Sequence, residues 1–406
     1  MTNKISVEYL LFLIFLYYFL FRELLENIIP FFSVSDELIA ISAIPLFLYN
    51  LVKSEFKIVH DHNWYTVLIV LFVCIGLLGN IIYRYQSLLH IALPDVLLEI
   101  KFWLMIYVGC KLFKDFSISK HADSIYLHVK IMTILFMMLF LLDNVAGGIF
   151  KAQIRYGLRS TQLFYSMPTS FACICVFLIG VIGAIRPYVE RSNYYLAILL
   201  CLLCSTLRSK AIGTAFLFVL LYLFIFVFKK KINVFTLVMF IPVIALLAWN
   251  QIEFYFFGKI HADSARLQLL IKSVEIANDH FPLGAGFGTY ASHFSAVHYS
   301  PLYWKYHLSQ INGLQKGSTL FISDCFWPTM LGQTGWFGLM LMSGAIYTLY
   351  KKIQSIREWN LNIYVSALYV FLYIICVSLA ESAFLHPNAM VIAWWLGILF
   401  AQKGKV

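Results

Sequence analysis

Residues Phe281-Pro282-Leu283-Gly284-Ala285-Gly286-Phe287-Gly288 lie within 251–327, the one long polar interval of a chain that is otherwise almost continuously apolar. The same interval carries Asp263, Arg266, Lys272, Glu275, Asp279, His280, His293, His298, His307 and Asp324. Hydrophobic segments flank it on both sides. Working outward, the chain reads as a bundle of membrane helices covered on its extracytoplasmic side by one long loop, 251–326. A site is expected where that loop meets the membrane.

Of the 406 residues, 61% are hydrophobic and 12% are charged. A soluble protein of this length has no interior large enough to hide that apolar surface. Hydrophobic runs of about 17–25 residues recur, the length a helix needs to cross a bilayer. The runs are continuous rather than alternating, so helices and not a barrel satisfy the backbone in lipid. The expected fold is all-α and polytopic. About twelve helices are centred near residues 15, 45, 74, 104, 136, 177, 201, 220, 241, 339, 371 and 395. The second, over 37–52, is short. The first lacks a small-residue cleavage site and reads as an anchor rather than a signal peptide. With no internal repeat, 1–406 reads as a single membrane domain, its long loop joining helices nine and ten.

Charge sets the orientation. The net charge of +10 is spread over short clusters between helices, such as Lys229-Lys230-Lys231 and Lys351-Lys352, and this argues against a nucleic-acid partner. With both termini in the cytoplasm, every strongly basic short loop falls inside. Lys151, Arg155, Arg159, Arg208, Lys210, Arg266 and Lys272 then fall outside, against the rule. An anionic ligand gives such cations a reason, and the planar fork of arginine suits phosphate. Asp95, Glu99 and Lys101 share the fourth helix, where an ion pathway and an internal salt bridge or cap are equally open. Cys201 and Cys204 read as packing residues, since a metal or redox site would need further ligands.

Within the loop, 264–280 has helical spacing, with Leu267, Leu270, Ile271, Val274 and Ala277 on one stripe. Asp263 or Ser264 can cap its start. Arg266 sits at the edge of the stripe, aimed at the protein–membrane boundary, and Lys272 is aimed at water. A lipid-linked phosphate and plain snorkelling both account for Arg266 there. Pro282 ends the helix, and Gly284, Gly286 and Gly288 allow a tight turn with close backbone approach. The glycines lack the strand and helix context of a nucleotide loop. His293, His298 and His307 have no metal-site spacing. Phe294, Tyr299, Tyr303, Trp304 and Tyr306 suit an interfacial belt or sugar stacking. Ser323 or Asp324 is placed to cap the next membrane helix; alternatively Asp324 is a general base at the membrane rim. Glycines 332, 335 and 338 suggest close helix packing.

Three stretches in this order resemble the O-antigen polymerase and O-antigen ligase superfamily of bacterial membrane glycosyltransferases. They are Thr206-Leu207-Arg208-Ser209-Lys210-Ala211, then Arg266 with Phe281 through Gly288, then Ser323-Asp324 with Gly332-Gln333-Thr334-Gly335-Trp336-Phe337-Gly338. The resemblance covers the C-terminal half; the N-terminal half matches in hydropathy alone. It implies a GT-C-like bundle in the bacterial cytoplasmic (inner) membrane. It also implies a metal-independent, cofactor-free inverting transfer from a glycan on undecaprenyl pyrophosphate. The acceptor is a second lipid-linked oligosaccharide, and a flippase and a chain-length regulator are expected companions. Arg208 and Arg266 would hold the pyrophosphate, with Arg155 or Arg159 as a third contributor and Lys210, Gly284, Gly286, Gly288 and Tyr290 around the substrate. Asp324 stands where ligases carry histidine, which favours a polymerase over a ligase. A lipid-linked oligosaccharide flippase is the non-enzyme alternative; it would have two similar halves, whereas these halves differ.

Overall fold

The computed structural model describes residues 6–53, 64–230, 232 and 264–405. Its helices are α1 (Val7–Ile28), α2 (Ser35–Lys53), α3 (Trp64–Tyr83), α4 (Leu93–Leu112), α5 (Ala122–Val145), α6 (Pro168–Ile185), α7 (Ser192–Ser205) and α8 (Ser209–Tyr222). They continue with α9 (Ala265–Asp279), α10 (His293–Val297), α11 (Leu302–Lys305), α12 (Phe326–Ile356), α13 (Leu361–Ser378) and α14 (Ala389–Phe400). The only strands among the described residues form a hairpin, β1 (Ile154–Arg155) against β2 (Leu158–Arg159). A helix lies at each expected centre except the ninth, near residue 241, which is outside the described residues together with Asp263 and the rest of 251–263.

Six helices among the described residues are long and apolar enough to cross a membrane, over Pro30–Tyr49, Trp64–Tyr83, Ala122–Val145, Pro168–Tyr188, Ser209–Val227 and Leu361–Ser378. The chain is thus a mostly helical, multi-pass membrane protein. Apolar side chains such as Leu78, Ile81, Met138 and Leu141 point outward from these helices, as lipid requires. The centre is α14, buried from Ala389 through Leu399. Trp394 stacks there on Phe12 and Phe15 of α1. Gly109 of α4 and Gly397 of α14 face each other so closely that a Cβ on either would meet the other helix's backbone. This is the small-residue contact by which membrane helices pack without a hydrophobic drive.

The helix ends sort into two sets. At one end, His121 before α5 stacks on Tyr9 of α1 and on Phe116. Gln402 after α14 bonds Ile118 N and the Phe116 carbonyl, and Lys352 of α12 lies over Tyr65 of α3. At the other end, Glu23 of α1 accepts from Ser166 before α6 and from Asn388 before α14. Lys210 of α8 meets Glu381 after α13. Ends that alternation assigns to one side therefore touch one another.

The second end also holds a buried charge network. Lys101 Nζ lies 2.6 Å from Asp36 Oδ2 and 3.0 Å from Glu37 Oε1, and Arg22 approaches Asp36 at 3.7 Å. Lys101 and Asp36 are essentially without solvent contact. The salt-bridge role left open for Lys101 is the one observed. Removing one partner strands a buried charge, which costs about 3–5 kcal/mol. Lys101→Met is therefore expected to lower the Tm of the extracted protein clearly, and adding Asp36→Leu to recover part of the loss. An unchanged Tm in Lys101→Met would contradict the network's structural role.

Candidate active site

The loop is a folded cap with its own core, in which Leu269, Ile276, Tyr290, Tyr299, Tyr303, Leu314 and Ile322 cluster. Among the described residues the loop's tyrosines are consumed by this core: Tyr290 and Tyr303 have no exposure, whereas Phe281, Trp304 and Phe321 are left exposed. His280 is built in as well. Its Nδ1 donates to the Ile276 carbonyl at 2.7 Å, so Nε2 accepts from Tyr85 Oη at 2.9 Å. Burial pushes its pKa down, consistent with a neutral, structural imidazole. Among the described residues no three His, Cys, Asp or Glu side chains converge to hold a metal ion.

The glycine turn fixes this cap to the bundle. Gly335 breaks α12 with φ 64° and ψ −168°, a region essentially reserved for glycine. The break frees the carbonyls of Gly332 and Gln333 from their own helix. They accept instead from Ala285 N at 3.1 Å and Gly286 N at 2.8 Å. On the other side Asn80 of α3 brackets Phe287, donating to its carbonyl at 2.8 Å and accepting from its N–H at 2.7 Å. Asp95 Oδ2 accepts from Gly288 N and from Gln333 Nε2. Gly284, Gly286, Gly288 and Tyr290 are all buried, and the partners observed for them are this protein's own backbone and side chains. Asp95 is thereby a loop anchor. Gly332 and Gly335 of α12 serve the contact with the loop rather than the helix–helix contact expected for them, and at Gly338 a Cβ would meet Thr334 of its own helix.

Helix α9 lies on α12 with Ala265, Leu269, Ser273, Ile276 and Ala277 buried. This corrects the expected stripe, because Leu270, Ile271 and Val274 face outward. The rotation has a cause. Tyr290 Oη donates to the Leu269 carbonyl at 2.6 Å, and the small Ala265, Ser273 and Ala277 allow close approach. The displaced apolar residues are left exposed, and beyond the helix Phe281 packs on Phe337 of α12. Ser264 stands at the N-cap but makes no side-chain cap bond. Lys272 pairs with Glu275 at 2.6 Å on the polar side.

This rotation presents Arg266 to Asp324, 2.9 Å apart and both half-buried. Neither Ser323 nor Asp324 caps α12. Cys325 holds the N-cap position without a side-chain bond, so the capping role expected there is not the one observed. Lys210, in the first turn of α8, pairs with Glu381 at 2.7 Å and lies within electrostatic reach of both Arg266 and Arg208. Arg208, at the α8 N-cap position, donates to Gln153 Oε1 at 3.0 Å. Two cations thus stand at a helix N-terminus, where the dipole disfavours them and the free N–H groups already suit an anion. Burial pushes the Cys325 thiol up to about 11, with Asp324 adding to the effect and Arg266 and Lys210 opposing it. It therefore stays a thiol at neutral pH and is a poor nucleophile.

Arg208, Lys210, Arg266 and Asp324, distant in sequence, are thus brought within electrostatic reach: Arg208 and Arg266 both act on Lys210, and Asp324 is bonded to Arg266. Among the described residues neither Arg155 nor Arg159 is seen bonded to this group. They sit on opposite faces of the hairpin, since Arg155 pairs with Leu158 and Arg159 with Ile154. Arg159 turns back to the Phe150 carbonyl and Asp143. The hairpin reaches the group through Gln153 instead. Glu381 and Gln153 were missed; an acidic residue in a short segment beside outward-facing cations was the available signal. Compared with known proteins, the chain matches no family model and no curated protein sequence.

Proposed function

We propose that the protein is a polymerase of the O-antigen type, joining oligosaccharide repeat units carried on undecaprenyl pyrophosphate at the outer face of the bacterial cytoplasmic membrane. The reading includes twelve spans, cytoplasmic termini and a GT-C-like bundle. The observation that carries it is the group formed by Arg208 and Lys210 at the start of α8 with Arg266 of α9 within electrostatic reach, beside a loop folded over the helix ends. Among the described residues three cations stand against two carboxylates, a net positive charge that suits a pyrophosphate held by its lipid.

The chemistry follows from that charge. An acceptor sugar hydroxyl attacks the anomeric carbon of the donor, and the bond from that carbon to the pyrophosphate oxygen breaks with its electron pair on the leaving group. Fixed guanidinium and ammonium groups stabilise the charge that develops there. Asp324 orients Arg266, and two carboxylates, Asp324 and Glu381, stand at the group to take the hydroxyl proton. The test is a surface-glycan gel from a strain with the gene deleted and restored. A single repeat on lipid A core in place of a ladder supports the polymerase. Accumulated lipid-linked polymer would make the protein a ligase instead, and repeats trapped in the cytoplasm would make it a flippase.

A further inference from the structure

A cavity of about 50 Å³ lies between the first turns of α6 and the segment joining α13 to α14. Thr169, Ser170, Glu381, Ser382, His386 and Asn388 supply its polar lining, and Ile374, Val377 and Ala389 supply an apolar wall. A volume of that size admits about three to five water-sized groups. That is the hydroxylated edge of one sugar ring rather than an oligosaccharide. The lining contains no lysine or arginine, so it does not suit a phosphate. It offers hydroxyl, imidazole, amide and carboxylate groups beside a small apolar face, the combination that recognises a pyranose. The floor is rigid: Asn388 Nδ2 donates to Glu23 Oε1 at 2.8 Å, and Ser166 closes on the same carboxylate.

Glu381 belongs to both places. Its Oε1 accepts from Lys210 at 2.7 Å, and its carboxylate lines the cavity. Among the described residues its Oε2 has no hydrogen-bond partner. Asp324 differs, because it is bonded directly to Arg266 and is not part of the cavity lining. We infer that this cavity is the acceptor-sugar subsite and that Glu381 is the general base for the acceptor hydroxyl, an inference that rests on the polymerase reading. The hydroxyl oxygen forms the new bond to the anomeric carbon, its proton passes to Glu381 Oε2, and the pyrophosphate leaves with the electron pair of the broken bond. Lys210 then couples the two events, holding the base on one side and the leaving group's charge on the other.

The test uses the full chain in lipid nanodiscs with an undecaprenyl-pyrophosphate-linked repeat unit, and compares wild type with Glu381→Gln, Glu381→Ala and Asp324→Asn. Binding of undecaprenyl pyrophosphate alone and Tm are measured in parallel. Glu381→Gln is expected to lose about 10²–10⁴-fold in turnover, the usual worth of a general base, with pyrophosphate binding and Tm kept. Added formate is expected to restore part of the turnover of Glu381→Ala, which a purely structural role would not allow. Asp324→Asn keeps an acceptor for Arg266 and is expected to lose at most about 10-fold. Near-normal turnover in Glu381→Gln overturns the inference, and so does loss of pyrophosphate binding in that variant. No turnover by the wild type would overturn the polymerase reading itself, and is told apart by the wild-type arm alone.

Discussion

Arg266→Ala is expected to abolish the polymer ladder while the protein still inserts, folds and accumulates. Removing one preorganised donor to a developing charge costs about 10²–10³-fold, and a polymer needs many successive turnovers. The stability lost with the Asp324 pair is small. The Arg266–Asp324 pair is about 30% exposed on both sides, and such pairs contribute about 1 kcal/mol or less to stability. Activity and stability should therefore part company in this variant. Arg266→Lys keeps the charge but loses the planar fork, so a partial ladder is expected. A glycan gel at matched expression, with Tm of the extracted protein, checks both. A normal ladder from Arg266→Ala would remove Arg266 from the site. Arg208→Ala is expected to behave in the same way.

The second large effect is structural. Gly286→Val is expected to leave little folded protein. Gly286 has φ +97°, and a Cβ there would stand 2.7 Å from the Asn80 backbone N. Forcing an L side chain into this region costs about 1–3 kcal/mol. Pushing Asn80 away also endangers its two bonds to Phe287, worth about 1 kcal/mol each. Together these reach a substantial part of the roughly 5–15 kcal/mol that holds a typical domain. Gly213→Ala is the control: it lies within α8 with nothing in reach of a Cβ, and replacing a helical glycine by alanine contributes about 0.5–1 kcal/mol. Thermal unfolding of the two variants in parallel reads the difference. A Gly286→Val protein as stable as wild type would contradict the account of how the loop is fastened.

Helix positions were legible because hydropathy over some twenty residues reports directly on the cost of burying backbone in lipid. The joining of Arg208 to Arg266 came from the resemblance of their motifs; charge against topology marked seven cations, of which Arg159 and Lys272 pair elsewhere. The attachment of the loop was not legible, since Asn80 with Phe287 and Asp95 with Gly288 are pairings across 207 and 193 positions, and no local pattern encodes a partner at that range. The face of α9 was misread for a physical reason. An apolar stripe is expected to turn toward protein, but Leu270, Ile271 and Val274 are exposed, because a tyrosine bond and three small residues set the rotation. Capping by Ser323 or Asp324 rested on residue type at a helix start, and the nearby guanidinium of Arg266 took the carboxylate instead. Gly284, Gly286 and Gly288 were correctly read as permitting close approach: α12 backbone comes up to Gly284, Asn80 of α3 to Gly286 and Ile91 to Gly288.

The most direct test of the central claim is turnover by the purified chain in nanodiscs given only an undecaprenyl-pyrophosphate-linked repeat unit. Lipid-linked products of two, three and more repeats, with one undecaprenyl pyrophosphate released per bond formed, are the expected result. Unchanged substrate under conditions where the protein is folded would contradict the claim that Arg208, Lys210 and Arg266 serve a glycosyl transfer.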